Sequence, residues 1–154
     1  MKFLIFTISV IVTFILFFNL GYLFLSKFKS GNDTAILRVG NATFEVEIAD
    51  NPLLTAKGLS GRDVLSEGHG MLFVFSHPRH YPFWMKAMKF PLDFIWIRNK
   101  TVVGIDPNVP VRYGVSSFKT VIPREPVDMV LEINAGEAKK VGIQKGDEIK
   151  LRQK

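Results

Sequence analysis

At 154 residues the chain has room for one domain or two, and it carries no cysteine and a formal net charge of +6. The missing cysteine excludes a disulfide scaffold, a thiolate zinc site, a cysteine nucleophile and the acylated cysteine of a lipoprotein. Three of the lysines precede Gly31, and beyond it seventeen basic residues face fourteen acidic ones, a balance that argues against nucleic acid as a partner.

Seven of the 14 Phe lie at or before position 28, and Phe3–Leu25 is a run of 23 residues without a charge. At ~1.5 Å per residue, a helix of that length crosses the ~30 Å hydrocarbon core with some tilt. The run is too long for the apolar core of a cleaved signal, and no small-x-small site follows it. Residues 1–26 therefore read as an uncleaved signal-anchor, one transmembrane helix with the membrane as partner through residues 3–25. The amino terminus and Lys2 against Lys27 and Lys29 is a near tie under the positive-inside rule, but the very short N-terminal tail favours a single-pass protein with its bulk outside the cytoplasm. Residues 27–34, with Ser, Gly, Asn and Asp together, read as a linker, and 35–154 as one globular β-rich domain.

Within that domain, Thr43–Ile48 alternates Phe44, Val46 and Ile48 with Glu45 and Glu47, the pattern of a strand with one wet face. Asp50-Asn51-Pro52 offers a cap with proline at the first helical position, so Pro52–Leu59 reads as a short helix limited by Gly58 and Gly61. Gly70–Phe75 is apolar on both alternating faces and predicts a mid-sheet strand. Leu92–Ile97 and Thr101–Ile105, divided by Arg98-Asn99-Lys100, predict a hairpin whose turn is not the favoured Asn-Gly. Four prolines punctuate Asp106–Pro126, a stretch read as a long loop. Val127–Ile133 sets Val127, Met129, Leu131 and Ile133 against Asp128 and Glu132, a second half-buried strand. Ala135–Val141 reads as a short helix and Asp147–Leu151 as a closing strand. Many short strands, two minor helices and no β-α-β rhythm predict a compact antiparallel β-barrel or sandwich-like domain behind the transmembrane helix.

Several phrases combine in order: Ala56-Lys57-Gly58-Leu59-Ser60-Gly61-Arg62, Gly70-Met71-Leu72-Phe73-Val74-Phe75, Phe83-Trp84-Met85-Lys86, Pro91-Leu92-Asp93 and Leu131-Glu132-Ile133-Asn134-Ala135-Gly136. Over about residues 40–151 the chain resembles the domain-of-unknown-function family 192. The resemblance implies a small β-rich domain of bacterial and archaeal proteins, usually behind a signal or membrane segment, with no established activity. One departure stands out: where the family often reads Phe-Trp-Met-Lys-Asn-Thr, this chain has Ala87 and Met88 after Lys86.

Asp93 shares a strand face with Ile95 and Ile97. A carboxylate on an apolar face needs a hydrogen-bonding or cationic neighbour, because leaving it unpaired in a dry site costs several kcal/mol. Arg62 and Lys86 are the candidate partners. Trp84 shares a face with Lys86 if Pro82–Lys86 is extended, and an aromatic wall beside a cation suits a sugar, a nucleobase or a peptide side chain. Arg62, Trp84, Lys86 and Asp93 are thus the ligand-binding candidates, weighed against a structural ion-pair network. His69, His77 and His80 lack a carboxylate or fourth ligand at a recognised spacing, so no metal is expected. The serines lack a nucleophile-elbow context, and no phosphate loop or dinucleotide fingerprint is present, so no cofactor is expected.

Three functions follow from these residues. The first is a membrane-anchored extracytoplasmic module that binds a small molecule or an envelope protein. The second is an envelope enzyme with Asp93, tuned by Lys86 and Arg62, as an acid–base cluster and 106–126 as a lid. The third is a purely structural or assembly module. The burial of Asp93 discriminates among them, since an acid–base residue needs an accessible cleft.

Overall fold

A computed structural model describes residues 33–111 and 120–153 of the chain. The uncharged run 3–25, most of the linker and the middle of the proline-rich stretch lie outside the described residues. Among those described, no helix is long and apolar enough to cross a membrane.

The elements run β1 (Thr34–Val39), β2 (Ala42–Ala49), α1 (Pro52–Lys57), β3 (His69–Arg79), β4 (Phe83–Trp84), β5 (Leu92–Arg98), β6 (Thr101–Val109), β7 (Thr120–Val121), β8 (Val127–Asn134), α2 (Glu137–Val141) and β9 (Ile149–Gln153). Seven strands form one sheet in the order β6-β5-β8-β3-β2-β1-β9, while β4 and β7 pair separately. The apolar phrase Gly70–Phe75 sits in β3, the central strand of the seven, as its two-faced hydrophobicity requires.

The predicted antiparallel arrangement needs a correction. β2 and β3 pair in parallel, with Glu45 opposite His69 and Ala49 opposite Phe73. A parallel pair cannot be joined by a tight turn, so residues 50–68, including α1, form the crossover that makes this a β-α-β unit. The helix is set locally. The Asn51 side chain accepts from Leu54 N at 3.1 Å, Pro52 occupies the first turn, and Gly58, at φ 50°, ends it.

The sheet curls into a half-barrel rather than lying flat. Val102 N donates to Asp147 O at 2.9 Å, Ile149 N donates to Lys100 O at 2.9 Å, and Thr101 bridges Glu148, so the start of β6 meets the start of β9. The concave face holds Leu37, Phe44, Leu72, Ile95, Leu131 and Ile149. The opposite face of the central strands carries a second cluster that includes Met71, Phe73, Phe94, Trp96 and Val130. β5 contributes to both clusters and is buried from Leu92 to Ile97.

The stretch expected as a loop from Asp106 is partly strand. β6 continues through Pro107 to Val109, which is allowed because β6 stands last in the sheet order and Pro107 falls where the pairing with β5 shifts register, between Phe94↔Asp106 and Leu92↔Val109. The hairpin between β5 and β6 pairs Arg98 with Thr101 across a two-residue turn. Asn99 and Lys100 both have positive φ, 48° and 62°, the signature of a type I′ turn, which matches the twist of the flanking strands. Asparagine tolerates that region, whereas lysine is strained in it. Lys100→Gly is therefore expected to stabilise the domain by about 0.5–1 kcal/mol, a rise in Tm of a few degrees by calorimetry. An unchanged or lower Tm would contradict this reading of the turn.

Candidate functional site

Strand register places five side chains in one row across the face opposite the concave core: Glu47 on β2, Met71 on β3, Glu132 on β8, Phe94 on β5 and Asp106 on β6. Three of the five are acids, and each is handled differently. Glu47 accepts from both terminal guanidinium nitrogens of Arg62, with Nη2 to Oε2 at 2.7 Å and Nη1 to Oε1. Asp106 accepts from the indole Nε1 of Trp96 at 2.8 Å. Glu132 lies between Met71 and Phe94 and is only 5 % exposed.

Above Glu132, α1 and the segment 81–88 do not close completely on the sheet. They leave a cavity of about 340 Å³, walled by Thr55, Gly58 and Leu59 from the helix side and by Phe73, Phe75, Tyr81, Phe83 and Trp84. The wall is ordered by ring packing. Phe75 and Tyr81 stack at 3.7 Å between centroids, and Phe83 stands edge-on to Phe73 at 4.9 Å and to Phe94 at 5.7 Å. Tyr81 Oη donates to His77 O at 2.7 Å, which directs its polar end away from the apolar wall. Two bonds tie the helix side to the segment opposite: Ser60 Oγ donates to Lys86 O and Gly61 N donates to Ala87 O, each at 2.9 Å. Trp84 remains 46 % exposed.

Burial pushes the Glu132 carboxyl up to about 8, because the low-dielectric surroundings disfavour its charged form. At neutral pH its protonated form is therefore favoured, and the residue lines the cavity.

The residues singled out from the sequence are distributed over separate places. Trp84 lines the cavity. Arg62 is engaged with Glu47 beside a separate cleft lined by Glu45, Val64 and His69. Lys86 is exposed, and its backbone carbonyl serves the Ser60 bond. Asp93 is 0 % exposed, and backbone amides rather than Arg62 or Lys86 take up its carboxylate. Its Oδ1 accepts from Asn108 N at 2.8 Å and Gly136 N at 2.9 Å, and its Oδ2 accepts from Ala138 N at 2.9 Å. The carboxylate thus fastens the end of β6 and the first turn of α2 to β5. That sealed position has no cleft for acid–base work. The histidines are also separate: His69 lies 4.0 Å from Glu45, His77 bonds Ser76, and His80 bonds Pro123 O. Among the described residues no three His, Asp or Glu side chains converge as metal ligands.

Glu132 escaped the sequence reading because alternation assigned it, with Asp128, to a wet face. The available signal was Val130, an apolar residue between those two acids on the same face, which marks that face as covered at the middle of β8.

A model of the family DUF192, described as an uncharacterized ACR, matches residues 35–151. The chain is similar to a solved structure from Sinorhizobium meliloti described as a candidate transcription regulator, at 32 % identity and a TM-score of 0.72, covering 80 % of this chain and 97 % of that one. It is similar as well to a Novosphingobium aromaticivorans protein of unknown function, at 30 % identity and a TM-score of 0.71, covering 79 % and 88 %. No curated protein matches the chain.

Two measurements check the contrast between the buried acids. Asp93→Ala strands three amide donors, so the midpoint of denaturant unfolding is expected to fall by an amount equivalent to about 3–5 kcal/mol. A loss below about 1 kcal/mol would show that the three bonds do not organise the β6 end and α2. Glu132 behaves oppositely with pH. Its folded pKa lies above its ordinary value, so its contribution is fully present below about 4.5 and is lost as pH rises through about 8. Across that window the native protein is expected to lose up to about 1.4 kcal/mol per pH unit relative to Glu132→Gln, read from urea unfolding at each pH. Parallel pH profiles for the two proteins would refute the raised pKa.

Proposed function

Given that the chain belongs to DUF192, an uncharacterised family, we propose its role from the site itself: a ligand-binding module whose pocket is the aromatic cavity over Glu132. The observation that carries this reading is the cavity's construction. Its volume falls within the range of small-molecule sites, its wall is aromatic, and one polar group converges on it from the sheet. Of the four candidates drawn from the sequence, Trp84 belongs to this pocket, Asp93 holds the framework behind it, and Arg62 and Lys86 border its surroundings. The near-even charge beyond Gly31 favours a small molecule over nucleic acid. The uncharged run 3–25 supports tethering of the module to a membrane, with the domain outside the cytoplasm.

A second reading, an enzyme, has the pKa of Glu132 in its favour: an acid that stays protonated at neutral pH inside a cleft is suited to general-acid work. In that case Glu132, not Asp93, is the acid. Turnover abolished in Glu132→Gln with ligand binding retained would favour the enzyme over the binding module.

The binding reading is tested by thermal-shift screening of the full chain against small aromatic and apolar compounds, repeated on Trp84→Ala and Lys86→Ala. A ligand at a hundred times its Kd is expected to stabilise by about 2.7 kcal/mol. The shift should disappear in Trp84→Ala and persist in Lys86→Ala. Hits indifferent to Trp84, or no hits at all, would move the site elsewhere.

A further inference from the structure

We propose that the cavity recognises an organic cation, a substituted ammonium group held against the aromatic wall with the Glu132 carboxylate as its counter-ion. This rests on the reading of the cavity as a ligand site and adds the charge of the ligand.

The wall supplies the first half of such a site. Rings present a negative π face that attracts cations without demanding a directional donor, and tryptophan does so best. Phe75, Tyr81, Phe83 and Trp84 enclose the space, and Trp84 keeps nearly half of its surface open to it and to solvent. The ring contacts fix Phe75, Tyr81 and Phe83, so little ordering remains to oppose binding.

The floor supplies the second half. Of the three acids in the row, Glu47 is engaged by Arg62 and Asp106 by Trp96, whereas Glu132 lies between the apolar side chains of Met71 and Phe94 and lines the cavity. A glutamine there could exchange hydrogen bonds with a neutral ligand without risking ionisation. A glutamate differs in one respect, that it can take a full negative charge when a positive one arrives.

Among the described residues, few other titratable groups face this space. β3 presents Met71, Phe73 and Phe75, and β5 presents Phe94. The segment 81–88 brings Tyr81, whose hydroxyl is directed to His77 O. From α1, Lys57 stands at the rim and is exposed. Glu132 is therefore the acid that a bound cation meets. Since burial keeps it largely protonated at neutral pH, cation binding expels a proton, and affinity should rise about tenfold per pH unit up to about 8 before levelling. A neutral hydrogen-bond acceptor would show the reverse, with binding weakened as the acid ionises.

The experiment titrates the full chain with choline and with its uncharged carbon isostere 3,3-dimethylbutan-1-ol, by calorimetry and tryptophan fluorescence, from pH 6 to pH 9. At pH 9 choline is expected to bind at least tenfold more tightly than the alcohol. Calorimetry at pH 7 in two buffers of different ionisation heat should report release of close to one proton per choline. Glu132→Gln should equalise the two ligands and flatten the pH dependence. Trp84→Phe, at an exposed position that does not endanger folding, should weaken choline several-fold.

An alcohol that binds as tightly as choline, or a choline affinity that falls with rising pH, overturns the cation while leaving the cavity a ligand site. Silence from both compounds also overturns it, and the Trp84-dependent screen then decides the broader reading separately. The proton count uses the unaltered chain, so the proposal remains testable even if Glu132→Gln does not fold.

Discussion

A curled sheet can cover only the face it curls around. Strands β3, β8 and β5 carry buried apolar residues on both faces, and the concave core satisfies one side of them. The other side has to be covered by chain that is not in the seven-stranded sheet. That constraint explains why the β2–β3 connection is a long parallel crossover carrying a helix, and why the stretch between β3 and β5 folds back over the sheet as β4 and its flanks. Two short segments cannot seal such a surface completely, and the gap between them is the cavity. The site is thus a consequence of how the fold solves its covering problem.

Of the three buried acids, Asp93, Glu132 and Glu137, the first two sit on opposite faces of this framework, and each meets the cost of burial by a different route. Asp93 remains a full acceptor because the turn before α2 and the end of β6 aim three N–H groups at it, two of them from residues at positive φ, Asn108 and Gly136. The backbone there is shaped to the carboxylate. Glu132 has Met71 and Phe94 across its two neighbouring strands, and it relieves the same cost by holding its proton. The first arrangement fixes structure and leaves nothing for a ligand. The second leaves a titratable carboxyl among the residues that line the cavity.

Much of the architecture was legible in the sequence because it depends on local pattern. The alternation in Thr43–Ile48, the cap at Asn51-Pro52, the two-faced Gly70–Phe75 and the divided pair around Asn99 each became the expected element within a few residues. The parallel pairing was not legible, since two strands with a helix between them have the same periodicity whether they neighbour in parallel or not. Strand β1 and the short pair β4 and β7 carried too little pattern to stand out. The site was half legible. Trp84 was found by its chemistry, but Glu132 was hidden by the very alternation that located its strand. Alternation identifies two faces; it does not say that a distant helix and loop cover the one that carries charge. Asp93 was recognised as a residue that needs partners, yet backbone donors leave no trace in side-chain spacing.

The departure at Ala87 bears on which groups can define the ligand. Ala87 sits at φ 56°, in the left-handed region that asparagine tolerates well and alanine poorly, and its carbonyl accepts the Gly61 bond that ties the two walls together. The asparagine implied at this point by the family resemblance is therefore explained by backbone conformation, without any role for its amide in binding. Alanine keeps the same path, because the Gly61 bond and the buried neighbours Met85 and Met88 hold the turn from both ends. The loss of an amide here leaves the rim intact. On the proposed reading of the cavity as a ligand site, what distinguishes one ligand from another then falls to the groups that line it, the rings and the Glu132 carboxyl on the sheet, because the rim carries no amide at this point.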